Sequence, residues 1–209
     1  MALPVFWRSG AAEEAAPRIA HLDHDRPLVE AARRDPERFE ALYRRYLAPV
    51  YSYAYYQLGD HHAAEDATER TFLAALANLP RFDERARPAD GDGASTFKVW
   101  LFRIARNVVS NERRTARRHP ATALDEVTEA IVADPLDVEG DAVRREEAAA
   151  AWRAVGRLPG DRRRAVVLRF VDELSTAEIA GVLGRSEGAV RVLIHRALRT
   201  VAHDLAGRR

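Results

Sequence analysis

Arg191, His195, Arg196 and Arg199 recur at helical spacing near the C-terminus. With Gly188 and Val192 they share one side of a helix whose other side carries Val190, Leu193, Ile194, Ala197 and Val201. Arginines on an exposed helix can hold phosphates and take guanine edges in pairs of hydrogen bonds. Val192 is placed to meet a thymine methyl, and Gly188 lets the backbone come close. Upstream, Ser175 is positioned to cap a short helix containing Ile179, Ala180 and Leu183, and Gly184 can make a tight turn because a positive φ costs glycine nothing. Ser186 and Glu187 then open the basic helix, which the pattern carries to about Ala202. This is helix-turn-helix spacing, suited to reading duplex DNA. A plain helical hairpin with a solvated arginine face accounts for the charge but leaves the agreement of caps, turn and packing positions unexplained.

A second constellation lies earlier. Phe97, Leu101, Ile104, Ala105, Val108 and Val109 form the apolar side of a long helix capped by Ser95 or Thr96 and running to about Arg118. Arg103, Arg106, Asn107, Ser110, Arg113 and Arg114 form its polar side, with Trp100 at the boundary. An aromatic beside a basic stripe suits single-stranded DNA, where the ring stacks on an unpaired base and arginines hold the backbone. The plainer reading of Trp100 is a core residue at the edge of an amphipathic helix. Nothing points to catalysis. There is no phosphate-cradling glycine loop and no nucleophile beside a base, and with no cysteine there is no thiolate. His61 and His62 sit at a helix start without metal-ligand partners, and His195 and His203 do not share a face. Neither a metal nor a cofactor is expected.

The elements that must position these residues are all helical. Asp35 followed by Pro36 opens a helix carrying Phe39, Leu42, Tyr43, Tyr46 and Leu47; Gly59 ends it, and Asp60 caps the next, which closes at Leu79 and Pro80. Pro88, Gly91 and Gly93 mark a loop ahead of the long helix. The net charge of +1 conceals segregation: the stretch 121–143 holds seven acidic residues, from Asp125 to Asp141, and no lysine or arginine. Arginine clusters flank it on both sides. The expected fold is therefore all-α. An extension occupies 1–25, loosely ordered; a helical unit spans 26–119; a flexible acidic linker covers 120–140; and a second helical unit spans 141–209. The apolar patch from Leu3 to Trp7 is too short to span a bilayer or act as a signal peptide, so a cytoplasmic protein is expected.

Four stretches, FEALYRRYLAPVY, AEDATERTFLAALANLPRF, WLFRIARNVVSNERR and LPGDRRRAVVLRFVDELSTAEIAGVLGRSEGAVRVLIHRAL, together resemble the extracytoplasmic-function (ECF) sigma factors of bacterial RNA polymerase. Their order and spacing carry the resemblance. It implies a first module that is sigma region 2, a second that is sigma region 4, and a linker threading the polymerase. Glu65, Asp66, Glu69 and Phe72 would dock on the clamp of the largest subunit, and region 4 on the flap of the second-largest. The loop 85–95 and the polar side from Trp100 to Arg114 would open and read the minus-ten element, and Ser186 to Arg199 the minus-thirty-five element. An anti-sigma partner is a further implication. Family members usually carry glutamine then glutamate where Glu69 and Arg70 stand, and an aspartate is common where Asn111 stands. A polar residue and an arginine are frequent where this chain has Val192 and Leu193. The competing reading is an autonomous helix-turn-helix regulator with a sensing or dimerising N-terminal half, which would bind DNA tightly by itself.

Overall fold

The computed structural model describes residues 22–87, 90, 93–118 and 150–206, and every regular element among them is helical. The acidic linker 120–140, both boundaries expected around it, and residues 1–21 lie outside the described residues. Among the described residues no helix is long and apolar enough to cross a membrane.

α1 (Arg26–Arg34) buries Val29 and Ala32. Asp35 caps a short 3-10 turn by accepting from the Glu37 amide at 3.1 Å, and Pro36 supplies the fixed φ of its first position. The turn feeds α2 (Phe39–Leu58), which ends where Gly59 adopts φ 75°. Asp60 accepts from the Ala63 amide at 2.7 Å and starts α3 (His61–Asn78). α4 (Phe97–Arg118) packs across α2 and α3, closing a core built from Leu42, Val50 and Tyr53 of α2, Ala64, Ala67 and Ala75 of α3, and Phe97, Leu101, Phe102 and Val109 of α4. The row of alanines on α3 lets these helices approach closely while the large side chains of α2 and α4 interdigitate.

The expectation of a loose chain through Asp25 fails at its end. Asp23 exchanges two backbone hydrogen bonds with Ser95, at 3.0 and 2.7 Å, and its carboxylate accepts from the Lys98 amide at 3.2 Å. Asp25, fully buried, accepts from the Tyr46 hydroxyl and pairs with Arg45 at 3.0 Å. From the other side Glu84 accepts from the Ser95 hydroxyl at 2.6 Å and from the Thr96 amide at 2.8 Å. The start of α4 is thus held by two acidic side chains, Asp23 and Glu84, from two other segments, which suits the positive end of a helix dipole.

In the second unit a helical stretch over 150–156 precedes α5 (Gly160–Phe170), α6 (Thr176–Leu183) and α7 (Glu187–Ala206). Ser175 and Glu178 form a reciprocal capping box on α6. Gly184 turns the chain at φ 65°, and the Ser186 hydroxyl accepts from the Ala189 amide at 3.2 Å. α7 continues four residues beyond the expected Ala202 because Leu205 adds a further partly buried apolar contact. Val190, Ala197 and Val201 are buried, as the periodicity requires. The two units are in contact: α4 lies on α6, α2 meets α5, and Trp152 packs on Tyr56 with ring centroids 4.6 Å apart.

Candidate nucleic-acid interface

Gly184 and the two serine caps fix the angle at which α7 leaves α6, and the burial of Val190, Ala197 and Val201 fixes its rotation. What remains outward is Arg191, Val192, His195, Arg196 and Arg199, all exposed, with Ser186 and Gly188 at the start of the helix. Val192 is 47% exposed among cations. Glu187 is half-buried, and its carboxylate lies 3.4 Å from Arg191, steadying that guanidinium one turn along. The face expected for duplex DNA is therefore contiguous, basic and open.

The face expected for single-stranded DNA is arranged differently. Trp100 is half-buried against Phe82 and Phe97, at 5.0 and 5.5 Å between ring centroids, so much of the ring belongs to the core. Asn107 and Arg114 are exposed, Arg113 is half-buried, and Asn111 accepts from Arg114 at 2.7 Å. The remaining residues of this face meet the second unit. Arg103 donates to the Gly181 carbonyl at 2.6 Å and Arg106 to the Val182 carbonyl at 2.9 Å. Ser110 accepts from Arg164 at 2.9 Å, and Lys98 pairs with Glu178 at 2.9 Å. Partial burial, together with the neighbouring positive charges of Arg85 and Arg106, lowers the pKa of Arg103 from its usual value. Glu178 shows the converse. Burial pushes its carboxyl up, but hydrogen bonds from Lys98 and Ser175 and the Lys98 charge outweigh it and hold the pKa below the usual value.

A third face lies between α2 and α3. Glu65, Asp66 and Glu69 are exposed on α3, whereas Phe72 is 5% exposed and packs edge-on against Phe39 and Tyr43. Phe72 helps form an apolar groove of about 350 Å³, completed by Tyr43, Leu47, Leu73 and Leu76, with Glu65 and Glu69 among its lining. Sequence reasoning found the acidic rim and missed the exposed apolar walls. Leu73 is 58% exposed, and the signal available was that it and Leu76 face away from the buried Ala64, Ala67, Thr71 and Ala75. Arg70, beside Glu69, is drawn off to Glu112 of α4. The contacts of Lys98 and Arg164 were also missed, since no periodicity on one element announces a partner on another.

Residues 42–119 match the family model described as Sigma-70 region 2, and residues 148–201 match Sigma-70, region 4. The ECF RNA polymerase sigma factor SigW of Bacillus subtilis is 32% identical over 190 residues, covering 85% of this chain and 96% of SigW. The ECF RNA polymerase sigma factor BldN of Streptomyces coelicolor is 36% identical over 179 residues, covering 85% of this chain and 64% of BldN. Among solved structures, CnrH in complex with the cytosolic domain of CnrY is similar with a TM-score of 0.61 and 26% identity, covering 88% of this chain and 99% of CnrH.

Proposed function

The chain belongs to the ECF sigma factors of RNA polymerase, and from that premise we propose how its three faces divide the work of starting transcription. It binds core RNA polymerase and directs promoter recognition. In our reading the groove between α2 and α3 takes an apolar ridge of the polymerase clamp, with Phe72 as its floor and Glu65, Asp66 and Glu69 pairing with basic residues at the rim. α7 enters the major groove of the minus-thirty-five element through Ser186, Glu187, Gly188, Arg191, Val192, His195, Arg196 and Arg199, where phosphate contacts set position and base-edge contacts set sequence. α4 receives the unpaired non-template strand of the minus-ten element through Trp100, Arg103, Arg106, Asn107, Ser110, Arg113 and Arg114. Capturing unstacked bases there offsets an unpairing cost of about a few kcal/mol per base. The chain itself performs no chemistry and works in the cytoplasm, where the polymerase is. CnrH was solved with the cytosolic domain of a second protein, and we propose an inhibitory anti-sigma partner for this chain too.

The observation that carries this reading is the presence, in one chain and in this order, of a region 2 match containing the basic helix α4 and a region 4 match containing the open basic face of α7. The test is transcription with purified core polymerase, with and without the protein, followed by mapping of start sites. New specific start sites that need both components are expected, with weak duplex binding by the free protein. Tight sequence-specific binding by the protein alone, with no new start sites, would establish the autonomous regulator instead.

A further inference from the structure

Two carbonyls at the stems of the loop 85–95 are gathered by one side chain from a third segment. The Nε of Arg26, the first residue of α1, donates to the Ala94 carbonyl at 2.9 Å, and Nη2 on the same edge of the guanidinium donates to the Ala86 carbonyl. The Arg26 amide adds a bond to the Gly93 carbonyl at 3.1 Å. Ala86 and Ala94 are both buried, so the guanidinium serves carbonyls that water reaches poorly. Arg26 is itself fastened to the core, because Asp25 before it is buried against the Tyr46 hydroxyl and Arg45 of α2. Below this rung the stems are joined a second time, by Glu84 on Ser95 and Thr96. Above it Asp90, its side chain 2% exposed, accepts from the Arg87 amide at 2.8 Å and from the Arg87 guanidinium at 3.4 Å.

We propose that Arg26 is a positioning residue for promoter selectivity, bracing the two stems so that the loop meets an unpaired minus-ten base in one fixed shape. The proposal rests on assigning that loop to the minus-ten element. The first stem adjoins the strand-binding side of α4: after burial, the charge of Arg85 is the largest influence lowering the pKa of Arg103. Seven residues, Arg87 to Gly93, lie between the braced carbonyls, and the separation of those carbonyls sets the span they must bridge. A loop that reshapes itself accepts several bases, whereas a fixed one leaves polar groups unpaired against the wrong base and so rejects it. Arginine suits the task because its planar fork reaches two acceptors at a set spacing, which the single nitrogen of lysine on its flexible stem does not reproduce. Arg26 lies outside the apolar core of α2, α3 and α4, so replacing it leaves that packing in place.

The test uses holoenzyme, made from core polymerase and the full-length parent, Arg26→Lys, Arg26→Ala or Asp90→Ala. The template is the strongest promoter from the start-site mapping above, its minus-ten element randomised and each copy marked by a barcode within the transcript. One read base contributes roughly tenfold of preference. Both Arg26 variants are expected to lose most of that preference at one minus-ten position and to keep the parent's preferences elsewhere. A brace that serves stability alone would lower all transcripts together and leave their ranking unchanged, and that result overturns the proposal. Should Arg26→Ala fold poorly, Arg26→Lys, which keeps the charge and most of the stem, carries the test. Asp90→Ala separates the two ways of failing, because it undoes the loop's own fork and leaves Arg26 in place. If Asp90→Ala flattens the preference while both Arg26 variants retain it, the brace is refuted and the loop assignment stands. If no variant alters the ranking, it is the assignment of the loop to the minus-ten element that fails.

Discussion

Arg191 and Arg199 stand eight residues apart on α7, roughly 12 Å along its axis, and in the proposed docking on duplex DNA this separation gives them different work. Arg191 lies in the first turns, where a recognition helix reaches base edges, and is steadied by Glu187. Arg191→Ala should cost roughly 1–3 kcal/mol and relax preference at one promoter position. Arg199→Ala should weaken all sequences alike and lower the salt slope by about one unit. Salt titrations of holoenzyme on a set of single-base promoter variants measure both, and superimposable profiles would remove the distinction. Gly184 is a simpler case. Nothing lies within 4 Å of where a Cβ would project, so Gly184→Ala meets no clash and its penalty comes from φ 65° alone. A loss of roughly 1–2 kcal/mol is expected in urea unfolding, less for Gly184→Asn, which tolerates the left-handed region better.

At the scale of the element, the start of α4 responds to pH through Asp23. Burial, and after it the negative charge of Asp25, pushes the Asp23 carboxyl up to about 7. Between the ordinary carboxylate range and that value the folded state holds a proton that the unfolded chain has released. Asp23 therefore contributes stability that is full below about pH 4 and is lost as pH rises through about 7. Glu84 runs the other way. Burial opposes its ionisation, but hydrogen bonds from Ser95, Ala86 and Thr96 lower its pKa, so its contribution is present above about pH 4.5 and disappears in stronger acid. Thermal melts between about pH 5 and pH 8 should show a midpoint falling with pH in the parent and a flatter course in Asp23→Asn; equal slopes would show that Asp23 does not control this window. The helices themselves were legible because Asp35, Gly59, Asp60, Ser175 and Gly184 punctuate them with local chemistry. The grip of Asp23 on Ser95 and Lys98 was not, since it joins residues more than seventy positions apart and leaves no period in either segment. The polar side of α4 was read correctly as a face, but its partner on α6 could only emerge from tertiary packing.

Across the whole molecule, α4 lies on α6 and α2 meets α5 among the described residues, so any separation of the two units during initiation has to undo these contacts. Gln57 shows what such a separation asks of natural selection. Its amide is sealed between the two units without a partner among the described residues, and a methionine of similar shape would remove an unsatisfied pair of polar atoms worth about 1–3 kcal/mol. Gln57→Met should melt at a higher temperature than the parent and yet give fewer transcripts per polymerase, measured side by side by calorimetry and by run-off transcription. A variant that gained heat resistance and kept full output would break the link. Where the link holds, a lineage screened only for durability would fix the apolar residue early and lose its promoters, whereas one that must switch genes on keeps the flaw. The unpaired glutamine is then an inherited imperfection, maintained because a tighter molecule would be a worse one.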